Sequence, residues 1–583
     1  VTDSIGRIPV VVVEIQQPIC QNTYGSSPCT AAIGTTGTRK CFNTRATCQD
    51  PDNYDQDGDP IYLRFGKASA DLPNDLNIIP SIQSVSTVPT RINVGGRLGK
   101  EKPLGLRAES NILLVDHPHS DNIVDPYLSE RTYNPLELGT FWSKWLKRNP
   151  YNEGLTLIVY EGYSGQTLAE MQSRLYNIDK IEGPDSNNQV KIKAKDILRL
   201  ADNNKAQYPA LTVGKLTANI TDSATSLELD GAVEADYTAY SSNYIRINNE
   251  IIGYTSVTTD GSGNLDFTGL TRGQFGTEAA AHEEDDTAQA CVYYNAVAPW
   301  LIVKDVLIDA GVPSSYIDYT AWTDEATTWL GGLTVTNILS EPTGVNTIVG
   351  ELCEQCSFYV WFDERDREVK FQAIKPAVDE VEVITEENNL VQGSTVLTAR
   401  PELRASEIWV SYIPRDSTQT RKERGNFRRT AVRVEAENLF PERKVYELYS
   451  RWLNSDQQVD LLTFRLLARY SEPPVYIRFV LDAKDRSLKV GDPFDIEYRG
   501  FTDDTGAIER RRYQVISSHE SPPGENIVIE AQVFDYAIDF NQGQWMVDAA
   551  PDYSAATPAE KAAGGWWSDD DGTVEGEPGY VWS

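Results

Sequence analysis

Val345-Asn-Thr-Ile-Val-Gly-Glu-Leu-Cys-Glu-Gln-Cys356, then Phe358-Tyr-Val-Trp-Phe362, then Val369-Lys-Phe-Gln-Ala-Ile374 beyond a turn around 363–367, changes its apolar period midway. Val345, Ile348, Val349, Leu352, Cys353 and Cys356 recur at helical spacing, which places them on one buried stripe of a helix beginning near Pro342. The two runs that follow have the length and residue types of strands, and the polar turn between them makes a hairpin. A helix followed by a hairpin predicts a mixed fold, and it assigns the Cys353/Cys356 pair to core packing despite its C-x2-C spacing.

The same two periods recur outward from this stretch. A helix is predicted around Pro299–Gly311, and Ser455 with Gln458 forms a capping-box signature ahead of Val459, Leu462, Leu466 and Leu467. Val475-Tyr-Ile-Arg-Phe-Val-Leu481 and Ile527-Val-Ile-Glu-Ala-Gln-Val533 alternate as strands. Short strand runs such as Leu155–Tyr160 fill the region before Pro209, consistent with a β-barrel or split sheet, with Lys193–Ala201 as a short closing helix. Between about Leu211 and Ala290 the composition shifts to Thr, Ser, Asp and Gly, which reads as an inserted antiparallel β-module with a solvent-facing acidic loop at Glu283–Asp286. Cys291, ahead of Val292, Tyr293 and Tyr294, is expected in the core.

The chain is therefore expected to be α+β, β-rich and multidomain. The expected divisions are a cysteine segment 1–60, a β-barrel-like domain 61–210, the inserted module 211–292, an α/β domain 293–395, a second β-domain with a helix 396–545, and an extended C-terminal arm 546–583. Trp566, Trp567 and Trp582 in that Pro-, Gly- and Asp-rich arm suggest that it docks on something larger.

A formal charge of −33 over 583 residues argues against a surface devoted to gripping phosphates, but suits a wall that repels DNA. The basic groups are bunched, at Arg421, Lys422, Arg424, Arg428 and Arg429 and again at Arg510–Arg512, as on solvated strand edges or at a contact with an acidic neighbour. No run approaches a membrane span, since Ile8–Ile15 is broken by Pro9 and Glu14, and no signal-peptide layout is visible.

Four of the seven cysteines, Cys20, Cys29, Cys41 and Cys48, fall together in a loop-forming stretch rich in Gly, Pro, Ser, Thr and Asn. Two disulfides would suit an exported domain. Structural zinc favours close C-x2-C knuckles, absent here. An iron–sulfur cluster takes four thiolates over a larger volume, which longer loops supply. These alternatives leave the four as candidate metal or cofactor ligands, and spacing by itself does not choose among them.

No catalytic constellation is read elsewhere. Asp116-His117-Pro118-His119-Ser120-Asp121 is expected to be a loop held by Asp and His hydrogen bonds, and Tyr54–Asp59 departs from a calcium loop in its glycine and glutamate positions. No nucleophile elbow, P-loop, dinucleotide fingerprint or zinc-protease helix occurs.

Together with the cysteine loop, Val124-Asp-Pro-Tyr-Leu-Ser-Glu-Arg131, Gly139-Thr-Phe-Trp-Ser-Lys-Trp-Leu-Lys-Arg-Asn149 and Glu447-Leu-Tyr-Ser-Arg-Trp-Leu453 resemble the tail hub, or tail-tip, proteins of long non-contractile-tailed phages and gene transfer agents. The cysteine spacing is similar to that of lambdoid tail-tip proteins, which implies a [4Fe–4S] cluster on Cys20, Cys29, Cys41 and Cys48, with zinc as the fallback. The resemblance further implies a non-enzymatic virion protein with two hub-type β-barrel-like domains, assembled as a homotrimer. Its expected partners are a hexameric distal tail protein ring, tip or fibre proteins and the tape-measure protein, with DNA passing through the channel unbound. The rival readings are an iron–sulfur electron-transfer protein and an exported, disulfide-bonded adhesin or glycan-binding protein.

Overall fold

The structure, a computed structural model, describes residues 8–534 apart from 69–71, 74–75, 94–104, 132–133, 135–137, 203–205, 241, 376–380, 420–421, 435–441, 483–486 and 522–524, together with 573–574 and 577–578. Arg421 and the expected C-terminal arm, with Trp566, Trp567 and Trp582, lie outside the described residues, the two short strands Thr573–Val574 and Glu577–Pro578 excepted.

Apolar alternation builds the first sheet. Its strands are β1 (Pro9–Gln17), β2 (Ile61–Gly66), β3 (Ile78–Pro80), β4 (Ile82–Val88), β5 (Glu109–Val115), β6 (Thr156–Tyr163), β7 (Gln172–Glu182) and β8 (Gln189–Lys195). They run in the order β3-β2-β1-β6-β7-β8-β5-β4. In β5 every second residue, Ser110, Ile112 and Leu114, is buried and the ones between are half-buried, as a sheet with one covered face requires. The helix α1 (Phe141–Arg148) places Phe141, Trp142 and Trp145 in that core, with Phe65 stacked on Trp142 at 5.4 Å. Each such ring contributes about 2–3 kcal/mol by burial, and the Trp145 indole N–H donates to Gln17 Oε1 at 2.6 Å.

β1 is interior to this sheet, paired with both β2 and β6, so the cysteine segment is the excursion between two paired strands and the expected division at 60/61 runs between them. The edge strands β3 and β4 are separated in the chain by Ser81 alone, yet no ladder joins them. β3 is only three residues long and ends in Pro80, which has no N–H to extend a ladder. The fold is α+β and β-rich as expected, and among the described residues no sheet closes into a barrel. Nor is Lys193–Ala201 one helix: its first residues complete β8, and a single 3-10 turn follows at Ile197–Leu200.

The middle of the chain holds the largest core. Helices Pro299–Asp309 and Val345–Cys356 form where the sequence places them, and a third, Tyr319–Leu330, packs beside them with its Asp318 N-cap accepting from Ala321 N at 3.1 Å. The hairpin Phe358–Asp363/Glu368–Ala373 is buried on both faces of its first strand, which is why that run carries no alternation.

The second sheet runs Glu382–Thr385, Pro493–Thr502, Ile508–Glu520, Asn526–Val533, Val475–Asp482, Val396–Ala399 in spatial order. The capping box at Ser455 and Gln458 starts the helix Asp456–Tyr470. That helix packs on a smaller sheet of Phe427–Val434, Glu407–Pro414 and Val445–Tyr449. The 211–292 stretch folds as two small antiparallel sheets over one core that includes Leu229, Ile245 and Phe267. Its entry and exit are stitched together, with Thr212 Oγ1 donating to Ala288 O at 2.8 Å and accepting from Ala290 N at 3.1 Å.

Candidate metal centre

The stretch from Cys20 to Tyr54 has almost no apolar residues to fold around, and it forms turns and two single 3-10 turns, Arg45–Thr47 and Pro51–Asn53. Hydrogen bonds shape it instead. Cys20 N donates to Asn43 O at 2.8 Å, and Asn43 Nδ2 returns a bond to Cys20 O at 3.1 Å, tying the first cysteine beside the third. Asn43 sits at φ 53°, where the side-chain bond helps an L-residue to stay. Asp50 accepts from Thr30 N at 2.6 Å, which brings the Cys29 and Cys48 limbs together.

The four thiols share one electrostatic neighbourhood. Cys20 and Cys41 are buried and Cys29 and Cys48 half-buried, and none is in a disulfide. Burial pushes the Cys41 thiol up, the Asn43 backbone N–H works against it, and the charges of Cys48, Cys29 and Cys20 raise it further. Cys48 is raised in the same way, by burial and by Cys20 and Cys29, against the Asp50 N–H, which donates to its Sγ at 3.4 Å, and against Arg45. The thiols thus lie near enough to raise one another through like charge. Backbone N–H groups on sulfur and a nearby guanidinium are also what an anionic thiolate cluster uses. Four thiols are the donor type that an iron–sulfur cluster takes. Among the described residues, no group of three or more His, Cys, Asp or Glu side chains is placed to hold a metal ion.

The segment rests on the loop that precedes α1. Asp121 is buried between Lys144 Nζ at 2.7 Å and Arg148 Nη2 at 2.8 Å. Burial works to raise its carboxyl, but His119, Lys144 and Arg148 outweigh burial and hold it well below the usual carboxylate range. The Asp116–Asp121 cluster is thus the hydrogen-bonded loop expected from the sequence, with Asp121 N donating to His119 Nδ1 at 3.0 Å. Arg131 pairs with Asp125 at 2.6 Å and donates to Lys40 O at 3.1 Å and Cys41 O at 2.6 Å. The Arg131 and Arg148 guanidiniums lie 4.1 and 3.8 Å from the centre of the Phe42 ring. Tyr127 accepts from Tyr24 N at 2.8 Å. Sequence spacing named the four cysteines but not this floor; the signal was the clustering of Asp125, Tyr127, Arg131, Lys144 and Arg148 in two short stretches.

The remaining candidates have structural partners. Cys353 and Cys356 are buried on their helix and Cys291 beside Ile251, with all three thiols pushed far up by burial. His282 is buried against Glu250 at 2.9 Å, and Glu250 also takes both ends of Arg272. The Tyr54–Asp59 loop is pinned by Gln21, whose Nε2 donates to Asp59 O at 3.3 Å. Among the described residues no helix is long and apolar enough to cross a membrane.

No protein-family model and no curated protein matches this sequence. The solved structures that the chain superposes on include phage tail, baseplate and gene transfer agent proteins and Francisella PdpA–VgrG complexes. The tail protein from Neisseria meningitidis is 8% identical at a TM-score of 0.35, over 77% of this chain and 91% of that one. The 43 kDa tail protein of prophage MuSo2 from Shewanella oneidensis is 7% identical at 0.35, over 78% and 94%. A chain of the native gene transfer agent virion is 13% identical at 0.30, over 58% and 92%. Scores this low establish no shared fold.

Proposed function

We propose that this chain is a structural virion protein, a tail-tip or baseplate hub, whose 18–60 excursion is stapled by a [4Fe–4S] cluster on Cys20, Cys29, Cys41 and Cys48. The observation that carries this reading is the meeting of separate sequence stretches at one place. The cysteine loop, 124–131 and 139–149 all bear the tail-hub resemblance, and they interlock through Arg131, Arg148, Phe42 and the Cys41 carbonyl. The third stretch, 447–453, is set into the central core, where Trp452 is fully buried and its Nε1 donates to Glu351 at 3.1 Å.

The four thiols would hold the cluster, with the Asn43 and Asp50 backbone N–H groups stabilising their charge. When bound, the cluster supplies cross-linking: it joins four limbs of a loop that buries too few apolar side chains to fold alone. The chain's own residues do the rest, Arg131 fixing the Cys41 backbone and Asp121 anchoring Lys144 and Arg148, of which Arg148 lies against Phe42. In this reading the hub is a homotrimer that meets the distal tail protein ring, tip or fibre proteins and the tape-measure protein. Its acidic surface discourages the passing genome from sticking.

Iron content and visible absorbance of anaerobically purified protein test the cluster: about four irons per chain and a brown colour are expected. Zinc without iron, or neither metal, would sink the cluster. The hub is tested separately by mass in solution and by capture of the recombinant distal tail ring; a monomer that leaves the ring free refutes it.

A further inference from the structure

Among the described residues the strand Phe427–Val434 is the longest that leaves most of its side chains exposed. It pairs with Glu407–Pro414 along one side, and among the described residues nothing pairs with its other side. Its eight residues contain no proline and no bulge, and six of them are exposed. A long, straight edge of that kind attracts another strand unless something covers it.

The register shows which side chains surround that edge. Ile408, Val410 and Tyr412 face the helix Asp456–Tyr470, so their cross-strand partners Arg433, Ala431 and Arg429 share that face, where Arg429 reaches Asp456. The opposite face carries Trp409, Val432, Val434 and Val445, with the three valines 43%, 60% and 45% exposed. The Arg424 guanidinium lies 3.6 Å from the centre of the Trp409 ring, and the three valines stay exposed beside it. The edge is also basic. Residues 421–434 hold six Lys and Arg against one Glu in a chain of net charge −33. Arg428 makes no hydrogen bond or ion pair among the described residues, and the Arg424–Glu447, Arg429–Asp456 and Arg433–Asp460 pairs are all solvent-exposed and therefore weak.

We propose that the chain's own C-terminal segment, 535–583, docks on this strand, adding a strand to its free edge and covering the valine face with its tryptophans. Three observations select that occupant. The segment carries ten carboxylates and a single lysine, Lys561, which complements the basic edge. It carries Trp545, Trp566, Trp567 and Trp582, rings large enough to cover exposed valines. It also starts in the right place: Phe534, the last described residue before it, lies under the guanidinium of Arg469, near the end of the helix that packs on this same sheet. The 49 residues beyond Phe534 far exceed the span of that helix and sheet at about 3.3 Å per extended residue. The recognition is main-chain pairing with charge and apolar anchors, and it stands independently of the metal centre and of the tail reading.

Hydrogen exchange on the full-length protein tests it. The outward-facing amides of 427–434, those not bonded to Glu407–Pro414, are expected to be protected by about tenfold or more over an exposed edge, and to lose that protection in the triple variant Asp569→Lys, Asp570→Lys, Asp571→Lys. Those substitutions lie outside every described core, so loss of folding does not confuse the result. A second variant, Arg428→Glu, is expected to give the same release, and combining it with the triple variant to restore protection. Unprotected amides in the full-length protein overturn the proposal. So does protection that the tail substitutions leave unchanged, or protection that appears only as protein concentration rises, which would place a second copy on the edge.

Discussion

The molecule treats its two groups of cysteines in opposite ways. Cys353 and Cys356 have the spacing of a metal knuckle but sit on a helix among Ile348, Val349 and Leu352, with thiols that burial pushes far up. Cys20, Cys29, Cys41 and Cys48 have no knuckle spacing, yet a hydrogen-bonded loop brings them into one another's field and aims backbone N–H groups at two of the sulfurs. A thiol's chemistry follows from what surrounds it, and C-x2-C spacing on an apolar helical stripe points inward.

The hardest test of this contrast is to remove one cysteine of each kind. Cys41→Ala is expected to abolish iron binding and to expose the backbone of 18–60 to rapid hydrogen exchange, while Cys353→Ala keeps full iron content. Equal iron in both variants would break the distinction. Next in size is the floor. Arg131→Ala removes the clamp on Lys40 O and Cys41 O and strands the buried Asp125 carboxylate, which should cost about 3 kcal/mol in denaturant unfolding. A loss below about 0.5 kcal/mol would mean that the clamp is not formed in solution.

A smaller effect is expected on the buried side. Cys356→Ser places a hydroxyl among apolar side chains and should destabilise by about 1–3 kcal/mol without touching metal content. In metal-free protein at about pH 8, Cys29 and Cys48, which are half-buried, should react with iodoacetamide, while Cys353 and Cys356 do not, because they are buried and burial pushes their thiols far up. Mass spectrometry of the alkylated peptides reads both outcomes.

Periodicity made the helices at 299, 345 and 456 legible, because each buries one stripe. It also made the strands legible where one face is covered, as in Val475–Asp482. The helix Tyr319–Leu330 was not legible, since Thr, Asp and Glu separate its few buried positions, Trp322, Ala326 and Leu330. Barrel closure was not legible either, because it depends on whether β3 and β4 exchange hydrogen bonds, and a three-residue strand ending in Pro80 does not. Of the metal centre, the sequence shows the ligands but not the support. Arg131 and Arg148 lie 90 and 107 residues from Cys41, and only the packing of the loop before α1 on the excursion after β1 brings them to Phe42.

The smallest expected effect concerns that support and has a defined pH signature. Asp121 keeps its charge in the folded protein below the pH at which an ordinary carboxylate takes up a proton, because His119, Lys144 and Arg148 outweigh its burial. Its contribution is therefore complete above about pH 4, the unfolded carboxylate range, and is lost as the pH falls towards the folded value. Below that range the unfolded chain binds a proton that the folded chain resists, so unfolding gains on acidification. Asp121→Asn removes the charge from the folded and unfolded states alike. It should lower stability at neutral pH and flatten the acid limb of stability against pH, and the two curves should draw together only as the pH nears the folded value of Asp121, well below the ordinary carboxylate range. If the acid limbs of the two proteins run parallel, Lys144 and Arg148 do not depend on Asp121, and the floor beneath Phe42 is held by packing alone.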